Sequence, residues 1–92
     1  IIEVDLHIDS LLDDTHGMSN SEILNYQLDK FREVIEANKE KREQKIVFIH
    51  GKGDGVLRKA IIDESKRKHS NYRYQDASFQ EYGFGATMVT IK

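Results

Sequence analysis

The sequence predicts an α/β sandwich in the order β-α-β-α-β-β, with its helices packed on one sheet. Three observations carry that expectation. Ile2, Val4 and Leu6 alternate with Glu3, Asp5 and His7, the period-2 pattern of a strand with one buried face. Leu24, Leu28, Phe31 and Ile35 form an i, i+4, i+7, i+11 stripe. The unbroken apolar run Ile46-Val47-Phe48-Ile49 leads directly into His50-Gly51-Lys52-Gly53-Asp54-Gly55, and helix-like sequence resumes at Val56.

Taken in order, the first strand is expected over Ile1–His7, with Asp5 and His7 projecting from one face near its C-terminal end. Residues 8–18 carry three aspartates and no clean period, so they read as a loop with Leu11 and Leu12 against the core. Ser19-Asn20-Ser21-Glu22 matches a capping box, in which a serine hydroxyl and a glutamate three residues on satisfy orphan N–H groups. The helix it starts carries the stripe above, with Ile23 and Val34 alongside. Lys39 to Gln44 reads as a fraying helix end and a loop. The continuous apolar run of the second strand, 45–50, predicts burial on both faces or a central place in a mainly parallel sheet. A helix follows over 56–69, with Leu57, Ala60 and Ile61 inward and Lys66-Arg67-Lys68 in its last turn, where cations suit the helix dipole. A third strand is expected within Tyr72 to Phe79, a turn over Gln80 to Phe84 and a closing strand over Ala86 to Lys92.

Ninety-two residues make one domain with a thin core, since 38% of them are apolar and 33% charged. The absence of cysteine excludes disulfides, thiolate metal sites and a cysteine nucleophile, and fits a cytoplasmic location. No apolar run approaches the ~20 residues that cross a membrane. The chain opens on Ile1, which suggests a piece of a longer protein. Net charge is −2, yet it is unevenly placed: residues 1–45 hold 6 Lys/Arg against 11 Asp/Glu (−5), and residues 46–92 hold 8 against 5 (+3). An anion-binding face is therefore expected in the second half.

Two motifs point to chemistry. Three alternate glycines between a strand and a helix aim backbone N–H groups at one spot in solvent, where a phosphate can be held, with Lys52, Arg58 and Lys59 beside it. A tight turn that needs positive φ is the plainer reading. The loop lacks the G-x-G-x-x-G spacing of a dinucleotide fingerprint and the Walker lysine–serine pair. The Asp5-x-His7 pair is the second motif. Consecutive parallel strands end side by side, so Asp5, His7 and His50 should share the rim that carries the glycine loop. There they suit general acid–base work on a phosphodiester, or a divalent metal with Asp5 as its candidate ligand. Local capping by Asp5 and turn-filling by His50 is the alternative. Tyr82-Gly83-Phe84-Gly85-Ala86-Thr87 reads as a turn with a bulge. Asp9, Asp13, Asp14 and His16 are weaker metal candidates, and Tyr72, Tyr74 and Phe79 weaker base-stacking candidates.

Together, Val4-Asp5-Leu6-His7, the segment from Val47 to Arg58, and Tyr82-Gly83-Phe84-Gly85-Ala86-Thr87-Met88-Val89 resemble the small MutS-related (Smr) domain. That family is marked by L-D-L-H, H-G-x-G-x-G-x-L-R and G-x-G-A-T in this order. The resemblance implies a two-layer sandwich with a mixed four-stranded sheet and two helices on one face, like the C-terminal domain of translation initiation factor 3. It implies binding of DNA or RNA and, in some members, a nicking or RNA-cleaving endonuclease, with Mg2+ or Mn2+ as the expected assisting metal. On this resemblance Asp5, His7 and His50 would be catalytic. Gly51, Lys52, Gly53, Gly55, Arg58 and Lys59 would hold nucleic-acid phosphate. The chain departs from the pattern at Ile8 to Thr15, which reads as an acidic insertion of about eight residues displacing a His-Gly element to His16-Gly17. A non-catalytic protein-interaction or anion-binding module of a larger protein is the other expected function.

Overall fold

The computed structural model describes residues 1–53, 55–83 and 85–92; Asp54 of the glycine loop and Phe84 of the third motif lie outside the described residues. The chain runs β1 (Ile2–Asp5), α1 (Ile8–Leu11), α2 (Asn20–Asn38), β2 (Lys45–Ile49), α3 (Val56–Lys68), β3 (Arg73–Asp76), α4 (Phe79–Tyr82) and β4 (Ala86–Thr90). The sheet order is β1-β2-β4-β3, with β1 parallel to β2 and both β2 and β3 antiparallel to β4. β2 is thus central, and the four-stranded sheet is mixed, as the resemblance implies, rather than mainly parallel as the apolar run alone allowed.

Two apolar layers explain why β2 shows no alternation. Ile46 and Phe48 join Leu6, Val89 and Ile91 under α2 and α3, which contribute Leu28, Phe31, Ile35, Leu57 and Ile61. Val47 faces the other way and packs with Ala77 and Ala86, flanked by Ile49, Tyr82 and Met88. Phe31 meets Phe48 edge to face at 4.8 Å, a geometry worth ~0.5–1.5 kcal/mol beyond burial. The capping box is formed: Ser19 Oγ accepts from Glu22 N, and Glu22 accepts from Ser19 N, both at 3.1 Å. Between the helices, Arg32 makes bidentate hydrogen bonds of 2.8–3.1 Å to Glu64, whose side chain is only 5% exposed.

Several boundaries differ from the sequence reading, β2 and α3 each by one residue at the C-terminal end. Residues 8–11 are one helical turn instead of loop, with Leu11 and Leu12 half-buried. Four residues carry too little period for a helix to be read from sequence. β1 stops at Asp5 because that carboxylate captures the N–H of His7. β3 is short and exposed on its outer positions, and Phe79 opens α4 where a strand end and a turn were expected; Phe79 is 62% exposed. β4 ends at Thr90, although Ile91 N still donates to Gln44 O. Among the described residues no helix is long and apolar enough to cross a membrane.

Candidate functional site

The site lies where the parallel strands β1 and β2 end together. Asp5 is registered opposite Ile49, so His7 comes level with Gly51 two residues on. Asp5 Oδ1 accepts from His7 N at 2.9 Å and bonds His7 Nδ1 at 2.7 Å, while Oδ2 accepts from Ser10 Oγ at 2.9 Å. Burial acts to raise the Asp5 pKa, but the His7 N–H, the Ser10 hydroxyl and the His7 ring outweigh it and hold the carboxyl below its usual range. With Nδ1 bonded to Asp5, the opposite nitrogen of His7 is turned to the glycine loop. A Cβ added to Gly51 would lie 2.8 Å from His7 Nε2. Gly51 is therefore needed twice: its φ is +83°, and only a bare α-carbon lets the imidazole approach.

The rest of the loop is held by the third motif. His50 N and Gly51 N both donate to Gly85 O at 2.9 Å, a two-against-one bulge that ends the β2–β4 ladder. A Cβ on Gly85 would meet the Gly51 backbone at 3.4 Å. His50 is 8% exposed and has both ring nitrogens engaged, Nδ1 with Gly51 O and Nε2 with Thr87 Oγ1, each at 2.9 Å. A carbonyl can only accept, so Nδ1 carries the proton and Nε2 accepts from the Thr87 hydroxyl. Burial is the strongest influence on His50, lowering its pKa and keeping the ring neutral. The expected proton mover is thus turned inward.

The phosphate-cradle residues divide by geometry. Gly55 caps α3 at φ +81° without any side-chain cap, and the first turn of α3 holds no acid. Helix starts of this kind attract anions. Gly53 and Gly55 have open space where a Cβ would stand. Lys52 lies along Gly83, its Cε 2.9 Å from where a Cβ there would be. Arg58 is paired to Asp76 on β3 at 2.6 Å, and Lys59 to Asp63 within α3 at 3.2 Å.

Sequence reasoning missed Ser10, Thr87 and Asp76. Ser10 belongs to the segment read as an insertion, which here supplies a ligand to Asp5. Thr87 was visible inside the G-x-G-A-T motif; Asp76 carried no signal, because its contact depends on how β3 docks beside α3.

The described residues build no dedicated cage for a divalent ion. Both Asp5 oxygens are committed to His7 and Ser10, and among the described residues no three His, Asp or Glu side chains gather as a metal group. Asp9, Asp13, Asp14 and His16 are all exposed, and Asp14 accepts from His16 N instead.

Comparisons with known proteins agree with the three-motif resemblance. Residues 13–92 match the Smr domain. The chain is 36% identical over 81 residues to endonuclease MutS2 of Finegoldia magna, covering 86% of this chain and 10% of that protein. It is 47% identical over 47 residues to endonuclease MutS2 of Clostridium beijerinckii, covering 51% of this chain and 6% of that protein. The chain therefore spans a tenth or less of the length of these curated relatives. The crystal structure of the Smr domain of Thermus thermophilus MutS2 superposes with a TM-score of 0.60 at 28% identity, covering all of this chain and 99% of that one. On its motifs, its fold and these matches, the chain belongs to the Smr domain family.

Proposed function

We propose that the domain binds DNA or RNA and cleaves a phosphodiester at the rim formed by His7 and the glycine loop. One observation carries the reading: Asp5 holds His7 Nδ1 at 2.7 Å, and the opposite ring nitrogen faces Gly51. A carboxylate in that position fixes the tautomer and stabilises the imidazolium that forms when the ring takes a proton. His7 Nε2 removes the proton from the attacking hydroxyl, a water or a ribose 2′-OH. The new P–O bond forms as the bond to the leaving oxygen breaks, and the proton passes to that oxygen. With the Gly51 N–H spent on Gly85 O, the later part of the glycine loop, at Gly53 and Gly55, and the start of α3 hold the phosphate, and Lys52, Arg58 and Lys59 supply positive charge. His50 takes a positioning role, fixing the loop to β4 through Thr87.

The donor set around Asp5 supports a mechanism without a resident metal. Mg2+ or Mn2+ enters this reading as a counter-ion of the nucleic acid. A cytoplasmic location and a nucleic-acid partner shared with the rest of a longer chain belong to the same reading.

Fluorescence polarisation with mixed DNA and RNA oligonucleotides, followed by plasmid nicking and RNA cleavage in Mg2+, Mn2+ or EDTA, tests it. Binding should weaken with salt, and Arg58→Ala should lower the salt slope by about 1. Asp5→Asn should lose cleavage and keep binding. Absence of cleavage under every condition rejects the enzymatic half; absence of salt-sensitive binding rejects the whole and leaves a non-catalytic interaction module.

A further inference from the structure

We infer that the groove between α3 and β3 is a track for the nucleic-acid strand as it leaves the phosphate site, an inference that rests on the nucleic-acid reading above. Arg58, Ile62 and Lys66 recur every four residues, so they line one side of α3. Contacts identify that side as the one turned to β3. Arg58 reaches Asp76 at 2.6 Å, and Lys66 Nζ stands 6.0 Å from the centre of the Tyr74 ring. Between them lies a groove of ≈ 230 Å³ lined by Arg58, Ile62, Tyr74, Gln75, Asp76 and Thr87. Thr87 is the residue that bonds His50, so the groove begins at the wall of the site. β3 is an edge strand, which leaves the outer side of the groove open.

Beyond Lys66 the same character continues. His69 stacks on Tyr72 with ring centres 4.8 Å apart and planes within 7°. Residues 66–73 contain Lys66, Arg67, Lys68 and Arg73 and no acid. Among the described residues, the one carboxylate lining the groove, Asp76, is already paired with Arg58. Cations interleaved with aromatic faces suit a chain that alternates phosphates and bases. An acidic peptide would use the cations alone and give the tyrosines no role. Eight residues of helix separate Arg58 from Lys66, about 12 Å at ~1.5 Å per residue. Phosphates of one strand follow every ~3.4 Å along a duplex axis, so the two cations stand roughly three to four nucleotides apart.

The test compares a trinucleotide with a dodecanucleotide of the same sequence on the wild type and on Lys66→Ala, by polarisation at 50 mM and 200 mM salt, with Lys30→Ala on α2, paired to Glu33, as the control. Wild type should bind the longer chain more tightly. Lys66→Ala should lose that gain while keeping its affinity for the trinucleotide. With a slope of ~0.9 per phosphate contact, the fourfold rise in salt should cost wild type about 3.5-fold more of its dodecanucleotide affinity than it costs the variant. A length gain that survives Lys66→Ala, or that Lys30→Ala removes equally, overturns the track and leaves the phosphate site standing. Preference of the Lys66 surface for a poly-glutamate peptide over the dodecanucleotide also overturns it. A wild type that binds neither oligonucleotide overturns the nucleic-acid reading and the track together.

Discussion

Replacing Gly51 with alanine should cost stability and displace the His7 ring at once. The backbone at Gly51 has φ +83°, where a residue with a Cβ is disfavoured by ~1–2 kcal/mol. The new Cβ would also stand 2.8 Å from His7 Nε2, closer than the two atoms can sit. The imidazole is half-exposed and free to swing outward, which relieves the clash but breaks its bond to Asp5. An exposed pair of that kind contributes ~0–1 kcal/mol. The sum is a loss of about 2 kcal/mol, which lowers Tm by roughly 8–16 °C in a domain of this size. Urea unfolding gives the energy, and NMR of the histidine rings reports the displacement of His7. Gly53→Ala is the control, because a Cβ there meets nothing within 4 Å and its φ is not positive; its stability should stay within ~0.5 kcal/mol of wild type. If Gly51→Ala unfolds like Gly53→Ala and leaves the His7 signals unmoved, the packing of His7 on the loop is wrong.

Further expectations concern the groups that support the site. Thr87→Val leaves a buried nitrogen of His50 without its hydroxyl partner and should cost ~1–3 kcal/mol in urea unfolding; an unchanged midpoint would contradict the assigned bond. Acid titration of stability should show two steps. The His50 pKa is lowered from 6.5, so the unfolded chain takes up its proton first and stability falls as pH drops below about 6.5 towards the folded value. The Glu64 pKa is lowered from 4.5, chiefly by its hydrogen bonds to Arg32, so its contribution is present above about 4.5 and is lost as pH falls further. His50→Gln should remove the upper step and Arg32→Ala should shrink the lower one, read from urea midpoints across pH. Asp76→Ala should tighten oligonucleotide binding by about two- to fivefold at low salt, since it releases Arg58 from an exposed pair worth ~0.5–1 kcal/mol; weaker binding would mean that Asp76 positions the guanidinium for phosphate.

The parts of the fold that sequence exposed are those with long periods or strong local chemistry. The stripe from Leu24 to Ile35, the capping box at Ser19 and the apolar run into the glycine loop each reappear in place. The parallel pairing that brings His7 beside Gly51 follows from a β-α-β unit and was equally open to inference. What stayed hidden depends on contacts between elements distant in sequence. The inward turn of His50 needs the register that sets Thr87 near the end of β2, and Arg58 meets Asp76 only because β3 docks beside α3. Ser10 was concealed for a different reason: the acidic stretch around it masks a single helical turn that aims its hydroxyl at Asp5.

The central claim is that His7, oriented by Asp5 against the glycine loop, moves the proton in phosphodiester cleavage. Single-turnover cleavage by wild type and His7→Ala in EDTA, with oligonucleotide affinity measured on the same samples, tests it most directly. The account expects the rate to fall ~10²–10⁴-fold, the usual contribution of a general acid–base, with affinity nearly unchanged. A His7→Ala protein that cleaves at the wild-type rate, or a wild type that binds but never cleaves, would contradict it.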